Sequence, residues 1–451
     1  MMARALRIAA LILVPAALFA GVAAWQSGGL ASVLEGWWRG AAPITLPTPF
    51  PSPHRTWAEH VAAIDAGIAR NRTRAASEPT DWLSPSAEAA NWLDRASMTG
   101  RWQDYAAAEA ALAVATSRSP AAVVPHPLRA RFAMAVHRNA DAEPALRAAT
   151  IDREFTRPEN QAQAMAVRGD VALYAGDWRR ADALYARAAR LSPSETLAFR
   201  RAFIVQRTQG GDAAIAAWAN VAQTSVRPSR RLLAALAQRI GAAELERGRW
   251  DAASLWHARA EQYLPGDWHI SALRLQDRAL AGDLPGAIGG MERLAAAHDL
   301  PELWDALAVW QAAAGSDNGD ALGRAAAGWR AFGARYPLAT ASHQAEHALI
   351  AGDFASMLAF ARLNYQNRPY GDAAIALAEA LAANGEIVRA RALLEQVAQD
   401  GWRNSEGDWL DYHIAELAGD GNAVAAARIN AERNNPRALD PRSRLIVFGR
   451  H

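Results

Sequence analysis

The chain has 451 residues, 51% of them hydrophobic and none of them cysteine, so no disulfide framework, thiolate nucleophile, cysteine metal site or lipid-modified cysteine is open to it. Its net charge is only +2, with 48 basic residues, all arginine, interspersed among 46 acidic ones. Pairs such as Arg179-Arg180, Arg200-Arg201 and Arg230-Arg231 read as solvated helix faces, which excludes the clustered basic footprint that nucleic acid requires.

The chain opens on Met1 to Arg7, with Arg4 and Arg7, followed by a charge-free run from Ile8 to Trp25. Arginine ahead of an apolar run orients the start of a chain toward the cytoplasm. A run of about 18 residues is just long enough to span a bilayer as a helix. It ends in Val22-Ala23-Ala24, small residues suited to signal peptidase. Residues 1–25 therefore read as an uncleaved signal anchor, with cleavage after Ala24 as the alternative. Both place the bulk of the chain outside a bacterial inner membrane, in the periplasm of a Gram-negative source.

Residues 26–55 read as a spacer. LASVLEGWWRG is a short amphipathic stretch whose Trp37 and Trp38 suit either the lipid headgroups or a lid on the first helices. Prolines at 43, 47, 49, 51 and 53 then exclude a helix and favour an extended segment.

From Thr56 the pattern is helical. Turn signals recur at Gly100, Gly176, Gly210, Gly248, Gly282, Gly352, Gly385 and Gly419, at intervals of 76, 34, 38, 34, 70, 33 and 34 residues. Each long interval hides one further unit, turning near Asn139-Ala140-Asp141 and between Gly315 and Asp320. A period near 34 predicts an all-α solenoid of about ten helical hairpins over residues 56–435, whose core grows along one dimension. In the tail, 436–451, two prolines precede the apolar run Leu445 to Phe448, which is expected to cover the last hairpin or stay mobile.

Within the unit, Gly169, Gly176, Ala181, Tyr185, Ala188 and Pro193 sit at fixed offsets. Gly241, Gly248, Ala253, His257, Ala260 and Pro265 repeat them with histidine in the aromatic place. Small Ala345, Gly352 and Pro369 keep part of the pattern, as do Ala378, Gly385, Ala390 and Leu394. In these residues the chain resembles the tetratricopeptide-repeat family. Small residues at the crossing let two helix axes approach to ~8 Å. The turn glycine ends one helix in the left-handed conformation and an adjoining aspartate caps the next. The aromatics two residues after the glycine (Trp102, Trp178, Trp250, Phe354) are expected to wedge between successive hairpins.

The resemblance implies a protein-binding scaffold whose ligands, other proteins or peptides, lie in a concave groove lined by first helices. Counting back 2, 3, 6, 10 and 13 positions from the turn glycines gives the groove residues: Asp170, Tyr174, Arg200, Arg207, Glu346, Glu379, Trp409 and His413 among them. No catalytic residue, metal ligand or cofactor is expected, and no nucleic-acid partner. The membrane contact is expected through residues 8–25. The layout resembles accessory subunits of envelope assemblies, such as those of polysaccharide export or cytochrome c maturation. The alternative is a zinc-dependent hydrolase, because His343-Gln344-Ala345-Glu346-His347 matches H-x-x-E-H, with two histidines four apart on one helical face. His257 and His269, on either side of Leu264-Pro265, read as surface or packing residues.

Overall fold

The structure, a computed structural model, describes residues 44–120, 124–149 and 157–449. The apolar run Ile8 to Trp25 and the Trp37-Trp38 stretch lie outside the described residues. Helix α1 (Trp57–Ser77) leads in, its Thr56 side chain closing a capping box with Glu59. Ten antiparallel hairpins follow, each a pair of consecutive helices packed on one another. They are α2 (Leu83–Thr99) with α3 (Trp102–Arg118), α4 (His126–Ala135) with α5 (Asn139–Ala149), α6 (Pro158–Tyr174) with α7 (Trp178–Leu191), and α8 (Glu195–Gln209) with α9 (Gly211–Thr224). Next come α10 (Arg230–Glu246) with α11 (Trp250–Tyr263), α12 (Trp268–Leu280) with α13 (Leu284–His298), and α14 (Pro301–Ala313) with α15 (Gly319–Arg335). The series closes with α16 (Pro337–Ile350) and α17 (Phe354–Asn367), α18 (Gly371–Ala383) and α19 (Ile387–Gln399), and α20 (Ser405–Leu417) and α21 (Gly421–Asn434). There is no strand among the described residues.

The hairpins form where the repeat places them. Asp177, Asp283, Asp353 and Asp420 each accept a hydrogen bond from a backbone N–H in the first turn of the second helix. Gly315 turns one of the two hidden units, with φ 72°. The other turns at His137, a non-glycine residue at φ 54°. At the crossing of α6 and α7, a Cβ on Gly169 would lie 2.3 Å from the Tyr185 ring, which is itself fully buried.

The stack coils so tightly that its second turn rests on its first. The tip of each early hairpin meets the entry of the hairpin six places later. A Cβ on Gly100, the first tip, would touch Leu300 at 3.1 Å, the residue leading into α14. The second tip differs, meeting the join of the eighth and ninth hairpins: the His137 carbonyl accepts from Asn367 Nδ2 at 2.9 Å, and Arg368 Nη1 lies 3.1 Å from its ring Nε2. Gly176 lies against the Pro369 carbonyl at the entry to α18, and the Arg207 carbonyl accepts from the Arg403 N–H at 2.7 Å, before α20.

The tail takes the eleventh place. Asn435 and Arg437 lie against Gly248, and the Arg437 guanidinium sits 4.4 Å from the Trp250 ring. Beyond them the buried Gln276 accepts from the Val447 and Phe448 N–H groups at 2.7 and 2.8 Å and donates to the Phe448 carbonyl at 3.0 Å. Trp310 Nε1 donates to the Leu445 carbonyl at 2.9 Å. The expectation that the tail covers the last hairpin is thus corrected: it lies on α12 and α14, the first helices of the sixth and seventh hairpins.

The turn aromatics are corrected in the same way. Trp102 packs on Trp329, Phe332 and His343, about half the chain away. Trp178 Nε1 donates to the Asp400 carbonyl at 2.9 Å. They seal one superhelical turn to the next rather than wedging neighbours apart.

Two glycine substitutions separate crossing from surface. Replacing Gly169 by valine is expected to lower stability by roughly 2–3 kcal/mol, because Tyr185 has nowhere to move. Replacing Gly323 of α15, where a Cβ meets nothing within 4 Å, by alanine is expected to gain up to about 1 kcal/mol. Urea midpoints of the two variants against the parent decide both signs.

Candidate interaction surface

The positions counted from the turn glycines do lie on first helices, but most of them face other parts of the same chain. Arg207 is 1% exposed and bridges Glu246 at 2.6 Å and Asp372 at 3.1 Å. Asp372 in turn accepts from Trp402 Nε1 and Asn404 Nδ2, both at 2.9 Å. Arg200 grips Asp170 through two nitrogens at 2.6 and 2.8 Å, and Tyr185 Oη donates to the same carboxylate at 2.7 Å. Tyr174 packs edge-on to Tyr370 at 5.5 Å, with the Arg368 guanidinium 5.3 Å from its ring. Asp170 and Arg200 thus join the neighbouring third and fourth hairpins, while Tyr174 and Arg207 reach later ones, so as ligand contacts all four are already engaged within the chain. Glu379 is half-buried on α18. Trp409 and His413 stack on each other at 5.2 Å on α20, half-exposed at the far end of the array.

The H-x-x-E-H residues belong to a second intramolecular cluster. The His343 ring stacks on Trp329 at 5.0 Å, and His347 Nδ1 lies 2.7 Å from Asp305 Oδ1. Trp329 Nε1 donates to the other oxygen of Asp305 at 2.7 Å. Both histidines serve packing. Among the described residues no group of three or more His, Cys, Asp or Glu side chains has the geometry to hold a metal ion. His257 is likewise a core residue, its Nδ1 2.9 Å from Asp277, and the half-buried His269 meets Gln238 at 2.7 Å. In the acidic cluster, Glu302 Oε2 is enclosed without a hydrogen-bond partner. Burial pushes this carboxyl up to about 8, and the charges of Asp305 and Glu346 add to the rise.

What remains open is the rim. The tips of hairpins six to ten, at Gly282, Gly315, Gly352, Gly385 and Gly419, have nothing within 4 Å of a would-be Cβ, because no further turn follows. Three large apolar side chains stand on this rim: Phe354 at 44%, Val388 at 84% and Leu417 at 49% exposure. On the opposite rim, at hairpin entries of the first turn, Leu83, Leu191 and Val226 are exposed, the last at 92%. A separate cleft of about 770 Å³ opens between α3, α4 and α5, lined in part by Glu109, Thr116, Arg129 and Arg138.

No protein-family model matches the sequence, and no curated protein matches it. Solved structures align with it at low identity. A tetratricopeptide repeat protein from Parabacteroides merdae is 12% identical with a TM-score of 0.34, over 63% of this chain and 98% of that one. A chain of the APC/C hetero-tetramer Cut9–Hcn1 is 13% identical with a TM-score of 0.42, over 82% and 78%. Yeast Tom70 is 12% identical with a TM-score of 0.31, over 87% and 95%. The repeat architecture itself rests on the ten hairpins described above.

Two substitutions probe the closure. Arg207→Ala leaves the buried Asp372 and the half-buried Glu246 without their shared cation and is expected to cost about 3–5 kcal/mol, read from denaturant unfolding. For Glu302 the folded chain holds the proton more tightly than the unfolded chain, whose value is near 4.5. That group's contribution is therefore lost as pH rises from 4.5 through 8. Glu302→Gln should match the parent at pH 5 and exceed it by roughly 1–3 kcal/mol at pH 8; a parallel pH profile for parent and variant would contradict the assignment.

Proposed function

We propose that this chain is a protein-interaction scaffold that binds its partners on the rim of its second superhelical turn. The carrying observation is the exposure of Phe354, Val388 and Leu417 at consecutive hairpin tips, a position that later hairpins or the tail cover at Gly100, Gly176 and Gly248 of the first turn, though not at Gly210. Large apolar side chains grouped on an otherwise polar surface mark contact sites. The half-exposed Trp409–His413 pair and Glu379 offer a smaller inner contact at the same end of the array. The expected open groove along all first helices gives way to this surface.

The same proposal places the scaffold at a bacterial inner membrane, held by residues 8–25, with its helical body in the periplasm as part of an envelope assembly such as polysaccharide export or cytochrome c maturation. Its support is the apolar run behind Arg4 and Arg7 in the sequence. Among the described residues no helix is long and apolar enough to cross a membrane. A zinc-hydrolase reading gains no support from the placement of His343 and His347.

Site-specific photocrosslinking tests the surface. A crosslinker at position 354 or 388 is expected to trap a defined partner in intact cells, whereas one at Leu255, exposed on α11 away from the rim, is not. Crosslinks only from position 255 would move the binding face off the rim. Resistance of the intact chain to alkaline extraction from membranes, lost on deletion of residues 1–25, checks the tether.

A further inference from the structure

The ends of this array are complementary, and we propose that the rim partner is a second copy of the chain, stacked head to tail. This inference rests on the rim being the binding surface and names its occupant.

The template is the contact that the chain makes with itself. Each entry sits on the tip six hairpins earlier, as Arg403 does on Arg207 and Pro369 on Gly176. The tail occupies the eleventh place, against Gly248 and Trp250. A second copy that continued the superhelix would therefore set its first hairpin in the twelfth place, on the sixth tip. Its third, fourth and fifth entries would then fall on the eighth, ninth and tenth tips of the first copy. Helix α1 packs on α2 as the second helix of a preceding hairpin would, so α1 of the incoming copy and the tail of the receiving one share the eleventh place.

The side chains agree with this register. Leu191 and Arg190, at the fourth entry, would meet Val388 and Glu386 at the ninth tip. Val226 and Arg227, at the fifth, would meet Leu417 and Asp420 at the tenth. Arg157, at the third, would meet Asp353 and Phe354 at the eighth. Each of these three entries carries an exposed arginine, and each tip an acidic residue at the start of its second helix; Glu386 already pairs with Arg362 and Arg389, and Arg227 stacks on Phe50, so at the ninth and tenth tips the apolar pairs carry the contact. At the fourth and fifth entries an exposed apolar side chain stands beside the arginine and faces an exposed apolar one on its tip. The extra turn would bury the row of tips just as the second turn buries the first. The two surfaces differ, so the contact is heterologous and leaves an unused end on every assembly; repeated, it builds an open series rather than a closed dimer.

Sedimentation velocity of the full chain in detergent micelles, over about two decades of micromolar concentration, tests this. The parent is expected to form a concentration-dependent ladder of dimer, trimer and longer species. Val388→Glu and Val226→Glu are surface changes that should leave the melting curve unaltered, and each should weaken association at least about tenfold. Mixed together they should form dimers and nothing longer, since one variant keeps a sound entry rim and the other a sound tip rim. A parent that stays monomeric throughout, a ladder that survives either substitution, or a mixture that stays monomeric overturns the proposal. If the parent is monomeric while crosslinks from position 388 still trap a different protein, the scaffold reading stands and only the second copy is lost.

Discussion

Contact between hairpins six places apart is the constraint on which the rest of this molecule depends. In an open repeat array each unit touches only its neighbours, and stability is close to a sum of local terms. Here the pitch is small enough that tips in the first turn press on entries in the second. The array acquires pairings across more than 150 residues, such as Arg207 with Asp372, beside the nearer pairing of Arg207 with Glu246 in the next hairpin. A buried arginine between two carboxylates is a poor source of net stability, because desolvation offsets most of the attraction. It does impose geometry: any other pitch strands three charges. The same closure uses up the inner surface that an open array would offer to a ligand.

Much of the local architecture could be read from residues, because hairpins are local objects. Spacing of about 34 residues gave the count, and Asp177, Asp283, Asp353 and Asp420 cap as their position beside a turn glycine suggests. The second turn was hard to place because His137 fills the left-handed position usually held by glycine. The side chain is kept there for a distant reason, since its ring meets Arg368. Burial beside that guanidinium lowers the histidine to about 3, so it faces Arg368 neutral and can accept its hydrogen bond.

The groove was legible only as a set of positions. Counting back from the glycines did select inward-facing side chains, yet what they face depends on superhelical pitch. Pitch is the sum of small rotations at each hairpin interface, and no single spacing in the sequence encodes it. One signal was available in hindsight. Tryptophan follows the turn glycine in hairpins one, three and five, all in the first turn, whereas leucine, phenylalanine and isoleucine take that place in hairpins six, eight and nine. The largest aromatics stand where a second layer covers them. Gln276 is a similar case: a fully buried amide on α12 has no role in a hairpin considered alone, and finds it only in the backbone of residues 447 and 448.

An array that simply stopped would be expected to finish in polar caps, and the last three tips do not. Burying a valine, leucine or phenylalanine side chain is worth about 1.5–3 kcal/mol. The five apolar side chains named at the matched rims, Leu191, Val226, Phe354, Val388 and Leu417, three of them already half-buried, would then contribute roughly 4–9 kcal/mol together. Association itself costs an estimated 4–15 kcal/mol in lost freedom, so the balance is small and the contact reversible. Were residues 8–25 to hold the chain on a membrane, as proposed above, confinement would raise the effective concentration of one copy around another without adding any contact. The exposed apolar rim would then supply a weak contact, and the tether the concentration at which a weak contact is populated.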